Sequence, residues 1–291
     1  MPSTREPAAS RPDPGPELPE DLDLRALPRP VRAELRGVSE RMAHDIGGHL
    51  LMAGQLIDSD PELAYQHAMA AKERSPRLPI VREALGEAAY AAEHYDVALT
   101  EFRALRRMAG RDDYLAAMAD CERALGRPEA ALRLVKEGLR AEPDVTALVE
   151  LRLVEAGARS DLGQTDEAVR LLRDQIAELG AKGPKLARAR LRYAYADRLE
   201  AQGRTAEAER WFATAAALDA DHTTDAEDRV TALQGFTIVY DEDEDDGEPS
   251  QVGDEPGDFE PGDSEDGEAE DGEPPPTPDP GAAGQDGGDD S

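Results

Sequence analysis

REALGEAAYAAEHYDVALTEFRALRRMAG, residues 82–110, decides the fold of this chain. Leu85, Ala89 and Ala92 recur at the spacing of one helix face. The periodicity breaks around His94, then resumes with Tyr95, Ala98, Phe102 and Leu105. Two amphipathic helices joined by a short turn form an antiparallel hairpin. Ala98 is small where the two helices cross closely, and Phe102 fills the space one turn later.

The second half of this pattern repeats along the chain. Ala64, Ala98, Ala131, Ala168 and Ala208 follow one another at intervals of 34, 33, 37 and 40 residues. A period near 34 residues is the mark of stacked helical hairpins. Gly126-Arg-Pro-Glu, Gly163-Gln-Thr-Asp and Gly203-Arg-Thr-Ala punctuate it, each glycine ending one helix before a turn residue opens the next.

These residues resemble the tetratricopeptide repeat family. Leu85-Gly86, Tyr95, Ala98 and Phe102 fit its pattern, with Ala89 and Glu93 in place of the first aromatic and the turn glycine. Residues 112–145 fit at Gly126, Ala131 and Pro143, with Leu115, Met118 and Val135 at the larger positions. Residues 45–78 fit at Leu51, Ala64, Ala68, Ala71 and Pro76. Residues 149–182 keep Gly163, Ala168 and Leu172, and residues 189–222 keep Gly203, Ala208, Phe212 and Ala215. The wider late spacing predicts longer helices or loops, AKGPK (181–185) being one candidate loop.

The resemblance implies an all-α fold, a right-handed superhelical stack of about five helix hairpins over residues 45–224. It also implies a non-enzymatic scaffold or adaptor that holds a segment of a protein partner in a groove. In such stacks the first helix of each hairpin faces the groove. The groove positions are then Glu83, Glu87, Tyr90, Asp113, Asp120, Arg123, Glu150, Asp161, Arg190, Tyr193, Asp197 and Glu200. Eight acids against two bases favour a basic or mixed-charge partner segment, and the two tyrosines are the contact aromatics. The set of groove Lys, Arg and Asn that captures a peptide carboxylate in some members is missing here.

Around the repeats, residues 1–27 are rich in proline and predict a disordered N-terminus. Residues 28–44 predict an N-terminal helix, with Val31, Leu35, Val38 and Met42 on one stripe and Arg25, Arg29, Arg32, Arg36 and Arg41 along the segment. Residues 225–240 predict a terminal capping helix followed by the extended stretch GFTIVY. Residues 241–291 predict a disordered acidic tail. They hold 22 of the chain's 64 acids and no base, leaving 42 acids against 33 bases in residues 1–240. The tail supports a second reading: an acidic chaperone or nucleic-acid mimic that occupies a basic site on a partner. It also fits a solubilising role, or a shield for basic outer helices carrying Arg103, Arg106, Arg107, Arg133, Lys136, Arg140, Arg170 and Arg173.

Catalytic, metal and cofactor sites are not expected. His44 and His49 stand five residues apart, which turns their rings about 140° from each other on a helix. Cys121 sits between Asp120 and Glu122, the wrong setting for a reactive thiolate, and reads as a packing residue. Gly47-Gly48 is followed by His49-Leu-Leu, not by the Lys and Ser or Thr of a phosphate loop. No apolar core of a secretory signal and no membrane-length apolar run is present, so a cytoplasmic protein is expected. Direct nucleic-acid binding is disfavoured by the net charge of −31. The Ala, Arg, Asp, Gly and Pro bias resembles chains of high-GC bacteria such as actinomycetes.

Overall fold

The computed structural model describes residues 15–110 and 112–235. Residues 1–14, residue 111, residues 236–240 of the GFTIVY stretch and the acidic tail lie outside them. The described residues are all-α. They begin with α1 (Arg29–Leu35), continue through five hairpins and end with α12 (Ala226–Leu233). The hairpins are α2 (Glu40–Leu56) with α3 (Pro61–Arg74), α4 (Pro79–Ala91) with α5 (Tyr95–Ala109), α6 (Leu115–Ala124) with α7 (Pro128–Arg140), α8 (Val145–Asp161) with α9 (Thr165–Leu179), and α10 (Lys185–Ala201) with α11 (Thr205–Ala216).

The periodic alanines fall on one structural position. Ala64, Ala98, Ala131, Ala168 and Ala208 are each the fourth residue of a second helix, and all have 0% exposure. A methyl there lets paired helices approach closely, and a larger side chain next to it fills the seam. Phe102 lies in one such seam with Ala89, Met118 and Cys121, and Phe212 in another with Leu199 and Ala196. Gly126, Gly163 and Gly203 take φ of +74°, +74° and +76°, the left-handed geometry that closes a first helix. In the 82–110 hairpin Glu93 takes φ +61° at this place. The later intervals stretch because α8 and α10 each run 17 residues, with residues 180–184 as a loop before α10.

Two N-terminal expectations need correction. The single helix expected over 28–44 is two: α1 ends at Leu35, residues 37–39 turn, and α2 begins at Glu40. Val31 and Leu35 must face Ile46 and Leu50 to bury their side chains, and one straight helix cannot fold back on itself to do so. Met42, assigned to the same stripe, is 41% exposed. Residues 15–27 are packed rather than disordered. Leu24–Ala26 form a 3-10 turn capped by Asp23, and Leu27 is buried. Gly47-Gly48 makes the notch that receives this strap. A Cβ on Gly48 would stand 2.8 Å from Leu18 Cδ1, and one on Gly47 would stand 3.3 Å from Leu27 and Leu35. A few well-spaced leucines thus anchor a proline-rich segment whose composition alone argues against order. Glu34 completes the cap by accepting the Ile80 N–H at 3.1 Å, one of the orphan donors of the first turn of α4.

Candidate functional site

The first helices of successive hairpins share one face, and a cavity of about 800 Å³ runs along it from α4 to the N-terminus of α12. Its floor is small and apolar: Ala116 and Ala117 of α6, Leu153, Val154 and Gly157 of α8, Ala194 of α10. Polar side chains rise around it at intervals set by the helix period. Of the twelve groove positions expected from sequence, Tyr90, Asp113, Asp120, Arg123, Glu150, Arg190, Tyr193 and Asp197 line this cavity.

The other four do not. Glu83 and Glu87 line a separate hollow of about 490 Å³ beneath α1, whose walls include Leu27, Val31, Leu50 and Ile80. Asp161 and Glu200 line neither but hold cavity residues or their neighbours. Asp161 lies 3.4 Å from Arg123, and Glu200 pairs with Arg229.

The lining is tied together from helix to helix. The Tyr90 hydroxyl donates to Asp120 at 2.6 Å, joining α4 to α6. Burial and the Asp120 hydrogen bond both hold the Tyr90 phenol well above its usual range, so it remains a donor. Arg123 donates to Asp120 at 2.9 Å, and Arg190 reaches Glu150 at 2.6 Å, joining α10 to α8. Burial raises the Glu150 carboxyl, and Arg190 opposes that rise. Arg229 of α12 donates to Tyr193 Oη at 3.2 Å and stacks 4.7 Å from the centre of the Phe212 ring. Burial, then a hydrogen bond to Asp225, pushes the Tyr193 phenol up to about 12.

The charge balance expected for the groove changes accordingly. Among its lining residues the cavity carries Asp113, Asp120, Glu150, Asp197 and Asp225 against Arg123, Arg190 and Arg198, and Arg229 neutralises the rim beside Asp197. The surface is therefore mixed in charge rather than strongly acidic. Sequence reasoning missed Arg198, Thr223, Thr224 and Asp225, which also line the cavity. The last three come from the turn before α12. That turn is built by Asp219, whose buried carboxylate accepts the N–H of Thr223 and Thr224. Tyr114 was missed as well. It stacks on Phe102 with ring centres 4.6 Å apart, and its hydroxyl lies 2.6 Å from Glu83 and 2.7 Å from Glu87.

No family model matches the chain, and no curated protein matches it. Among solved structures, a thermophilic TPR protein of Thermus thermophilus matches 66% of this chain and 100% of its own length, with a TM-score of 0.52 at 20% identity. The fold is a tetratricopeptide-like hairpin stack. Nothing in that likeness carries over a partner.

Other side chains with chemical potential are engaged in packing. Cys121 has 0% exposure, and burial, followed by the charge of Asp120, pushes its thiol up to about 12. Among the described residues no three His, Cys, Asp or Glu side chains converge as a metal site, and no helix is long and apolar enough to cross a membrane. The outer face is less positive than the sequence implied. Arg103, Arg106, Arg170 and Arg173 are committed to Glu122, Glu137, Glu167 and Asp174.

Proposed function

We propose that the chain is a non-enzymatic scaffold that holds an extended segment of a protein partner in the cavity between α4 and α12. The observation that supports this is the lining itself: an apolar floor with charged and aromatic side chains supplied by four successive repeats and α12. Such a surface offers a segment alternating apolar and polar contacts, which fix its position without reacting with it. Tyr90 and Tyr193 are already oriented by Asp120 and Arg229, so little side-chain freedom is lost on binding. Of the basic and mixed-charge segments expected from sequence, the five carboxylates and three guanidiniums of the lining suit the mixed one better. A charge-varied peptide library displayed against the full chain tests this. Selected peptides lose about tenfold or more in affinity to a Tyr90→Ala, Asp120→Asn variant of unchanged helicity, in line with interface hot spots. Undiminished binding by that variant refutes the reading.

The acidic tail supports a second reading, in which residues 241–291, with 22 acids and no base, occupy a basic site on a partner. Binding of a basic partner that survives cavity mutations but vanishes on removal of the tail favours it over the groove.

A further inference from the structure

Charge is left unbalanced at one place inside the last hairpin. Among the described residues ten arginines are half-buried, and eight of them meet a carboxylate. The two that do not are Arg188 and Arg192, one turn apart on α10. Arg192 Nη1 donates to the Arg188 carbonyl at 2.9 Å, and Arg188 Nε is buried without a hydrogen-bond partner. Arg82 Nε is unbonded too, but its Nη1 reaches Glu101 at 2.6 Å. Burial, then the charge of Arg188, lowers the pKa of Arg192. Partial burial sets the pair apart from cations such as Arg32 on α1 and Arg133, Lys136 and Arg140 on α7, which are exposed and already solvated by water. A guanidinium held partly out of water without a counter-ion costs free energy that an anion from outside recovers.

The repeat register identifies the missing partner. Arg82, Arg152 and Arg192 each stand eleven residues before the left-handed turn residue of their hairpin, Glu93, Gly163 and Gly203. Arg82 meets Glu101 of α5, and Arg152 meets Glu155 at 2.7 Å. The last hairpin has a carboxylate at neither place. The position of Glu155 is filled by Tyr195, and that of Glu101, three residues after the periodic alanine, by Trp211. These two rings pack edge to face with centres 5.1 Å apart. The guanidinium is kept at this register and its counter-ion is not. The pair lies about 150° around α10 from the groove residues Arg190, Tyr193 and Asp197, so it stands apart from the scaffold reading of the groove.

We infer that Arg188 and Arg192 form a binding site for a carboxylate, an Asp or Glu side chain that reaches α10 from beyond the hairpins. A guanidinium fork takes a carboxylate through two parallel hydrogen bonds, and partial burial strengthens each of them relative to one in water. The carboxylate is preferred to a phosphate because it is the group that Arg82 and Arg152 hold at the same register. Two sources supply such a group: the 22 acids of residues 241–291, or a second protein.

Nitrogen-15 spectra of the arginine Nε–H groups, recorded as glutarate is added, test the site. They are taken on the full chain and on a full-length variant whose 22 tail acids are replaced by Asn and Gln. In the variant the Arg188 and Arg192 signals are expected to move and saturate, while those of Arg152, already paired, and of exposed Arg133 move little. With Arg188→Gln added, and helicity checked by circular dichroism, the Arg192 signal is expected to need about tenfold or more glutarate, since one of two charge-assisted contacts is gone. The full chain distinguishes the sources. Signals already displaced there and insensitive to glutarate support the site with the tail as its source, and a response equal to the variant's supports it with the carboxylate from another molecule. A response of Arg188 and Arg192 no stronger than that of Arg133 in the variant overturns the assignment. So does tighter binding of inorganic phosphate than of glutarate, or an Arg192 response unchanged by Arg188→Gln.

Discussion

Gly86→Ala is a sensitive test of how the repeats are packed. In an unpacked helix interior this change stabilises by about 1 kcal/mol, because alanine loses less backbone freedom on folding. Here the added Cβ would stand 2.6 Å from Phe102 Cε1 and 2.8 Å from Cδ1. The ring has to retreat by most of an ångström to restore ordinary contact, and it is not free to do so. Phe102 is 1% exposed and lies flat against Tyr114, at 12° between ring planes. Tyr114 is in turn fixed by Glu83 and Glu87. Overpacking of a rigid site costs about 2–3 kcal/mol, so the net effect is a loss of about 1–2 kcal/mol. For a helical body of this size the midpoint of thermal unfolding falls by about 2–8 °C. The measurement is a melt followed by circular dichroism, with two companions. Gly54→Ala, where nothing lies within 4 Å of the new Cβ, rises by a few degrees. Phe102→Leu in the Gly86→Ala background recovers part of the loss, a coupling that a double-mutant cycle isolates. A Gly86→Ala chain more stable than the native one refutes the proposed packing of this seam.

Three further outcomes follow from other sites. Glu93→Gly relieves the left-handed φ of +61° at the turn before α5. It raises stability by about 0.5–1 kcal/mol after glycine's own entropic cost, and a lowered denaturation midpoint contradicts this. His49 and His67, both nearly inaccessible and 3.0 Å apart between Nδ1 atoms, form a hydrogen bond in which one ring's N–H donates to the bare nitrogen of the other. Burial, with Arg74 nearby, lowers His49 from 6.5 to about 4, so the unfolded chain binds more protons between these values. Stability is then full above pH 6.5 and declines as the pH falls towards 4, by on the order of 2–3 kcal/mol. Urea titrations at pH 7 and pH 4.5 show it, and a His49→Leu, His67→Leu chain has a flatter profile. Glu122→Gln removes a carboxylate, 4% exposed, that holds both Arg103 and Arg127. The half-exposed guanidiniums regain water, so the loss is about 1–2 kcal/mol rather than the full cost of a broken buried pair, as a denaturant midpoint measures.

The repeat was legible because its constraint is steric and local. A methyl at the fourth position of every second helix cannot be exchanged for a larger group without forcing the helices apart, so Ala64, Ala98, Ala131, Ala168 and Ala208 stand out in a single sequence. The groove was legible in part for the same reason, since helix period places Tyr90, Asp120, Arg190 and Tyr193 on one face. What was not legible depends on contacts distant in sequence. Arg229 reaches back to Glu200 and Tyr193 from α12, and it changes the charge of the rim. Thr223–Asp225 reach the cavity only because Asp219 folds their turn. The strap at 15–27 owes its order to a glycine notch in α2, a partner that composition cannot report.

Each hairpin leans only on its neighbours, through contacts such as α3 with α4, α5 with α6 and α7 with α8. Under tension applied at its two ends, an array of this kind gives way in instalments rather than in one rupture. An optical trap would record a stair of small force drops, beginning with the terminal caps. The cavity is assembled from several hairpins plus α12, so the first instalment at the C-terminal end already removes Thr223–Asp225 and Arg229. A modest pull thereby dismantles one end of the cavity while most of the helices remain intact, and under the proposed scaffold role stretching would unload the groove.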